Sequence, residues 1–103
     1  MSTPLDPEII ATISLLHAAD GGRNSSISYG EYRGVLGVGQ ENFSCRFFVS
    51  EKTGLAPGQT AAYGVQFLMP EAALPYFSKG TTFTLWEGRV IGTGTVSEVC
   101  LND

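Results

Sequence analysis

The sequence is divided into short segments in which apolar and polar residues alternate, with turn signals between them. A period of two residues is typical of β-strands that bury one face, whereas an amphipathic helix needs a period of 3.6 residues. No stretch keeps such a helical period over ten residues. Six strands are predicted, at residues 9–17, 32–38, 43–50, 59–69, 81–87 and 90–101. Short strands separated by turns indicate an all-β fold, a small antiparallel sandwich or barrel.

The fourth segment is the longest predicted strand, and Pro70 ends it because proline cannot donate to a ladder. Its predicted core-facing residues are Ala61, Tyr63, Val65, Phe67 and Met69. The following stretch, 71–79, contains Pro75 and is too short for a full helix, so we expect no more than a helical turn there.

The chain has 103 residues, which predicts one domain over 1–103 with an extended leader at 1–8. Ten acidic and six basic side chains give a net charge of −4. A general nucleic-acid binder needs a basic surface to displace counterions from phosphates. The charge therefore makes nucleic acid an unfavoured partner, although it leaves room for one small basic patch.

The residue types required for metal or cofactor binding are scarce. Cys45 and Cys100 lie far apart without a CxxC motif, and His17 is the single histidine, so we expect no metal and no cofactor. Two reduced, buried thiols are the favoured interpretation, with a disulfide as the alternative. The acidic N-terminus lacks the basic start of a secretory signal, and no apolar run is long enough to cross a membrane. We expect a cytoplasmic protein without a membrane partner.

No catalytic motif is present, because the sequence lacks GxSxG, HExxH and a P-loop. A nucleophile would need His17 as its base, and this residue ends the first predicted strand, where a surface histidine is expected. We therefore expect no catalytic residues and no enzyme activity; an enzyme that uses the fold as a scaffold is the least favoured alternative.

Four motifs are more distinctive than these. They are Gly21-Gly22-Arg23 after the first strand, Tyr32-Arg33 at the second, Pro57-Gly58 before the fourth, and the stretch Trp86-Glu87-Gly88-Arg89-Val90-Ile91-Gly92-Thr93-Gly94-Thr95-Val96. In order and spacing, over nearly the whole chain, they resemble the third, C-terminal domain of elongation factor Tu and related translational GTPases.

The resemblance implies a six-stranded, antiparallel, closed β-barrel of Greek-key type. It implies that Gly21, Gly22, Gly58 and Gly88 form turns, and that Gly92 and Gly94 let the last strand curve across the barrel. In the family this domain binds the T-stem of aminoacyl-tRNA and contacts an exchange factor and the GTPase domain. This chain has no Walker A motif, so we expect no GTP hydrolysis.

The strand that helps to form the RNA-facing surface of the family reads here Gly34-Val35-Leu36-Gly37-Val38-Gly39, without basic or hydroxyl groups. This loss, together with the net charge, favours a protein partner over tRNA. We expect a non-enzymatic protein-binding module, such as a translation-associated adaptor or an immunity or decoy protein that engages a toxin. The alternative is weak tRNA or RNA binding, and the sequence leaves the oligomeric state open.

The candidate binding residues are arginines and aromatics: Arg23, Arg33, Arg46, Tyr76, Phe77, Trp86 and Arg89. Trp, Tyr and Arg are enriched at interface hot spots. For Arg23 and Arg33 the alternative is an ion pair on the surface or barrel rim. Tyr76, Phe77 and Trp86 are expected to form an exposed aromatic patch, with the alternative that either Tyr76 or Phe77 plugs the barrel end.

Overall fold

The computed structural model describes residues 6–100. The strands are β1 (Ile9–Leu15), β2 (Gly30–Val38), β3 (Glu41–Val49), β4 (Thr60–Phe67), β5 (Thr82–Trp86) and β6 (Val90–Val99). A short helix, α1 (Pro70–Ala73), continues into a 3-10 turn at Leu74–Tyr76, and a second 3-10 turn covers Ala18–Asp20. All six strands predicted from the alternation are confirmed within two or three residues at each described end. Residues 1–5 of the predicted leader and Leu101 of the last predicted strand lie outside the described residues.

The six strands form one closed antiparallel barrel in the order β1-β4-β3-β2-β5-β6, with β6 pairing again with β1. Strands β2, β3 and β4 follow one another as neighbours, while β1 lies beside β4, which is the Greek-key arrangement. The predicted fold class is confirmed. Because the barrel is closed, every strand has a neighbour on both sides. The sheet therefore has no edge strand that could act as a template for aggregation.

The interior of the barrel is filled by the apolar rows that the alternation predicts. On β1 the residues Ile9, Ala11, Ile13 and Leu15 are buried, and on β4 Tyr63, Val65 and Phe67 are buried. Ile27 and Leu55 also lie in the core, where the backbone of one pairs with the other between two long loops. The sequence predicts loops for both stretches, so the burial of these two residues is a finding of the structure.

Close packing explains the glycines of the first loop and the last strand. A Cβ at Gly94 would overlap the ring of Phe83 and lie 2.6 Å from the carbonyl oxygen of Thr12, and a Cβ at Gly22 would overlap the carbonyl oxygen of Leu16. The predicted turn residues Gly21, Gly58 and Gly88 have positive φ angles. The barrel therefore requires glycine for steric reasons at some positions and for backbone conformation at others.

The barrel has two ends with different connections. The loop end is formed by residues 16–29, residues 50–59 and the β5–β6 hairpin at 87–89. The helix end is formed by the β2–β3 turn at 39–40, by residues 68–81 with α1, and by the outer ends of β1 and β6. The strands run alternately between these two ends, so a residue's place in its strand fixes the end at which it lies.

Phe77 corrects one sequence prediction, because it is completely buried and is not part of an exposed patch. Its ring lies 4.7 Å from that of Phe67, 5.6 Å from that of Phe43 and 5.9 Å from that of Phe83. The 3-10 turn folds this ring back over the helix end, where it plugs the barrel. Met69, which the alternation placed in the core, is exposed because β4 stops at Phe67 and the chain turns outward into α1.

Candidate functional site

Arg23 is held within the loop end by contacts of its own guanidinium. Its Nη1 donates to Glu87 Oε2 at 2.8 Å, and its Nε and Nη2 donate to the carbonyl oxygens of Ser25 and Ser26 at 3.1 and 3.3 Å. The loop after β1 is thereby joined to the β5–β6 hairpin. The side chain is 23% exposed, so little of it is available to a ligand.

Tyr32 and Arg89 complete the same network. The hydroxyl of Tyr32 donates to Glu87 Oε2 at 2.5 Å, and burial followed by this hydrogen bond raises the pKa of the phenol. Arg89 donates from Nε to the carbonyl oxygen of Gly21 at 2.7 Å and from Nη2 to that of Gly22 at 3.0 Å. The Gly-Gly-Arg and Glu-Gly-Arg motifs therefore interlock, which is a structural role for two predicted binding arginines.

Arg33 and Arg46 lie directly opposite each other on β2 and β3. Both face the carboxylate of Glu31: Arg33 Nε donates to Oε2 at 2.8 Å, and Arg46 Nη1 lies 3.7 Å from Oε1. The hydrogen bond from Arg33 lowers the pKa of Glu31, and both positive charges act in the same direction. Arg33 therefore forms the surface ion pair that the sequence analysis gives as the alternative to a binding role. Its side chain nevertheless remains 78% exposed.

A groove of about 520 Å³ runs along the outer surface of β3 and β4 toward the helix end. Its lining includes Arg33, Arg46, Gln66, Glu8 and Leu68. Glu8 Oε1 accepts a hydrogen bond from the backbone N–H of Phe67, and Gln66 joins Arg46 to the carbonyl oxygen of Asp6. The polar groups of the groove floor thus already make internal contacts, which favours a partner that covers the groove over a small ligand that enters it.

A smaller cleft of about 200 Å³ lies between the same two strands nearer the loop end. The β3–β4 register covers only three pairs and stops at Phe47 and Val65. Beyond this point the strands diverge around the cleft, and the hydroxyl of Tyr63 donates to Glu51 at 2.7 Å. The cleft is a consequence of this divergence, and no cluster of reactive groups lines it.

Two exposed apolar residues at the helix end, Leu68 and Met69, are the feature that the sequence analysis missed. Leu68 is 77% exposed and Met69 is 66% exposed, although they follow each other directly in the chain. Tyr76 is half exposed and rests on Phe43, with 5.1 Å between the ring centroids. The available signal was Leu68 itself, since it falls on the polar side of the alternation in β4 and precedes Pro70.

Trp86 confirms the prediction of an exposed aromatic at the end of β5. It pairs across the hairpin with Val90, and both side chains are exposed. The register shift between Leu85 and Trp86 leaves Ile91 as the extra residue of a β-bulge, which allows Ile91 to be buried beside Gly92. The single patch predicted from Tyr76, Phe77 and Trp86 is thus divided, with Trp86 at the loop end and Tyr76 at the helix end.

The remaining side chains of catalytic type are not assembled into a site. Cys45 is buried, which raises the pKa of its thiol to about 12, and Cys100 is partly exposed with its pKa raised first by burial. Both thiols are free. His17 is exposed and stacks over Gly58. Within residues 6–100, no three His, Cys, Asp or Glu side chains are grouped so that they could hold a metal ion.

No protein-family model matches this chain, and no curated protein is significantly similar to it. Across residues 6–100, the structure has no helix that is both long and apolar enough to cross a membrane.

Proposed function

We propose that this chain is a non-enzymatic protein-binding module built on an elongation-factor-like barrel. One observation carries the proposal: large apolar side chains are exposed in neighbouring pairs, Leu68 with Met69 and Trp86 with Val90, on a barrel with a well-packed core. Contiguous exposed apolar groups on a small domain are typical of interaction sites. Tyr and Trp are among the residues that contribute most to such interfaces.

The biological roles that fit this module are those of a cytoplasmic adaptor to a translation component, or of an immunity or decoy protein. In the second role, the barrel would present a surface like that of the elongation factor to a toxin that recognises it. The acidic composition suits a basic partner, because opposite charges accelerate encounter and disfavour wrong partners.

The alternative, weak tRNA binding, receives less support from the arginines. Arg23 and Arg89 bind groups within the loop end, and Arg33 and Arg46 both face Glu31. A guanidinium that already has a carboxylate partner gains less from a phosphate, because the new contact replaces an existing one. The loss of counterions that drives RNA binding would therefore be small.

The test is capture of partners by the full chain from the cytoplasm of its own host, followed by reconstitution of the complex from purified components. We expect a stoichiometric complex that forms with the purified partner alone, and binding that weakens when Trp86→Ser or the double variant Leu68→Ser/Met69→Ser is used. Thr53→Ala serves as the control, since Thr53 is exposed in the β3–β4 loop and belongs to neither apolar pair.

Two results would overturn the proposal. One is the failure to reconstitute any protein complex. The other is micromolar binding of tRNA that weakens steeply with added salt, because this would identify phosphate contacts as the main interaction.

A further inference from the structure

The helix end combines exposed apolar residues with an excess of negative charge. We propose that it is a docking surface for a lysine- or arginine-rich amphipathic segment of a partner protein. This inference rests on the proposed protein-binding function and adds the place of the site and the chemistry of the partner.

The apolar part of the surface is formed by Leu68, Met69 and Tyr76. The backbone N–H of Leu68 donates to the carbonyl oxygen of Ser44, so Leu68 is fixed beside the start of β3. Met69 accepts from the N–H groups of Ala72 and Ala73 and thereby anchors α1. The ring of Tyr76 lies on Phe43, so each of the three exposed residues is held in place by a contact within the chain. A preformed apolar surface lowers the ordering cost of binding.

The acidic part follows from the strand order. Strand β4 lies between β1 and β3, so Leu68 and Met69 stand between Glu8 at the start of β1 and Glu41 at the start of β3. Glu71 on α1 and Glu98 near the end of β6 add two further carboxylates. Among the described residues of this end, these four acids and Asp6 are accompanied by one basic residue, Lys79.

Three of these carboxylates have no partner among the residues that the structure describes. Within residues 6–100, Glu41, Glu71 and Glu98 make no side-chain hydrogen bond and no ion pair. At the loop end Glu87 and Glu51 are hydrogen-bonded, which leaves Asp20 as the one acid among the described residues there without such a contact. Negative charge without internal compensation therefore accumulates where the apolar surface is most exposed.

Arg33 and Arg46, which line the nearby groove, are directed toward Glu31. Glu31 lies close to the start of β2 and therefore nearer to the loop end. Glu31 compensates one of these two positive charges, and the other remains in the groove lining beside Glu8. Even with this charge counted, the acids of the helix end outnumber its basic residues.

Charge selects the partner among the classes that an apolar surface could attract. A second copy of this chain would bring a second acidic end into contact, and an anionic lipid surface or a nucleic acid would be repelled in the same way. A cationic amphipathic segment satisfies both parts of the surface. Its apolar side chains would cover Leu68, Met69 and Tyr76, while its ammonium or guanidinium groups would meet the surrounding carboxylates, as in an apolar interface core with a polar rim.

The direct test is an NMR titration of the ¹⁵N-labelled full chain with two designed peptides. Both peptides are amphipathic helices with the same leucine positions, and the polar positions are all lysine in one and all glutamate in the other. We expect the lysine peptide to shift the backbone amides of residues 41–44, 68–69, 71–74 and 76–77. We expect no shifts with the glutamate peptide. The affinity of the lysine peptide should fall by at least about tenfold between 50 and 300 mM salt, since screening weakens exposed charge pairs.

Variants separate the two parts of the surface. Leu68→Ser/Met69→Ser should weaken binding of the lysine peptide by about tenfold or more. Glu41→Gln/Glu71→Gln should weaken it about threefold to tenfold and reduce its salt dependence. The substituted residues of both variants are exposed, and a dispersed amide spectrum checks that each remains folded. Thr53→Ala should bind like the parent chain.

The proposal is overturned if the lysine peptide shifts no amides at the helix end, if the glutamate peptide binds equally well, or if a dimer forms through this end. A natural partner whose binding depends on Trp86 and not on Leu68 and Met69 would also overturn it. That last result would leave the protein-binding function intact, whereas failure to reconstitute any complex would remove the function as well.

Discussion

The two ends of the barrel use the same kinds of residue in opposite ways. At the loop end, Arg23, Tyr32 and Glu87 bind one another, and Arg89 binds the carbonyl oxygens of two glycines. At the helix end, carboxylates and apolar side chains remain exposed around the plug formed by Phe77. Long loops close the first end and need side-chain contacts to order them, while a short helix and one buried ring close the second. Polar groups at the helix end are thereby left available for binding.

The largest expected effect on stability distinguishes the buried ring of Phe77 from the half-exposed ring of Tyr76 beside it. Phe77→Ala should lower the free energy of unfolding by about 3–5 kcal/mol, because it removes a buried ring in contact with three others. Tyr76→Ala, at the neighbouring position, should cost about 1 kcal/mol, since this ring is half exposed. Denaturation by urea measures both. Equal losses of unfolding free energy would contradict the assignment of one ring to the core and the other to the surface.

The next effect tests the close packing of the loop end. Gly22→Ala should lower the free energy of unfolding by about 1–3 kcal/mol, because its Cβ would meet the backbone of Leu16 and His17. The comparison at the helix end is Gly80→Ala, where no atom lies within 4 Å and only the positive φ of 90° opposes the change. That variant should cost about 1 kcal/mol. A smaller loss at Gly22 than at Gly80 would contradict the tighter packing of the loop end.

Alkaline pH tests the difference between the two thiols. Burial raises the pKa of Cys45 from 9.0 to about 12, so between these values the folded chain holds a proton that the unfolded chain releases. Stability should therefore fall as the pH rises, by about 1.4 kcal/mol per pH unit from this group. Tyr32 and Tyr63 have raised pKa values and act in the same direction.

Comparison with Cys45→Ala isolates the contribution of the thiol. The variant should show a shallower fall in unfolding free energy between pH 9 and 12, and Cys100→Ala should change the slope less. In the native state, iodoacetamide should modify Cys100 before Cys45, because only the former is partly exposed. Modification of Cys45 at a rate similar to that of Cys100 would mean that the barrel wall opens near the groove.

The smallest effect concerns the ion pair of the loop end. Glu87→Gln should lower the free energy of unfolding by less than about 1 kcal/mol, because its carboxylate is 43% exposed and solvent screens the pair with Arg23. Glu71→Gln at the helix end should be neutral within about 0.5 kcal/mol, since that carboxylate has no partner among the described residues. A double-mutant cycle of Glu87→Gln with Tyr32→Phe measures the coupling. The absence of any coupling would show that the network does not stabilise the loop end.

The six strands and their buried rows could be predicted from the sequence because their signal is local. Alternation along β1, β3 and β4 identifies the buried rows, and Gly and Pro mark the turns, so both depend only on neighbours in the chain. Ile27 and Leu55 were missed because each stands alone in a polar loop and is buried only through its pairing with the other. No period can reveal a contact between two isolated residues.

The candidate site was predicted less well. Tyr76 and Phe77 are adjacent aromatics in one short turn, and the sequence does not distinguish which of them enters the barrel. Arg23 and Arg89 are predicted to be available for binding, but Glu87, which pairs with Arg23, and Gly21, which accepts from Arg89, lie more than 60 positions away in the chain. Leu68 and Met69 were not selected, because exposure depends on where the strand leaves the barrel and not on residue type.

The amino-acid sequence alone determined the all-β class, the six strands, the acidic balance and the absence of catalytic motifs, since each depends on composition or on neighbouring residues. The tertiary structure decided which arginines are engaged internally, which aromatic ring plugs the barrel, and where the charge without partners lies. These properties depend on the strand order, which brings Glu8, Leu68 and the start of β3 to one end of the barrel. Closure of the barrel brings distant segments together. The difference between the internally bonded loop end and the exposed helix end arises from these contacts and not from neighbours in the sequence.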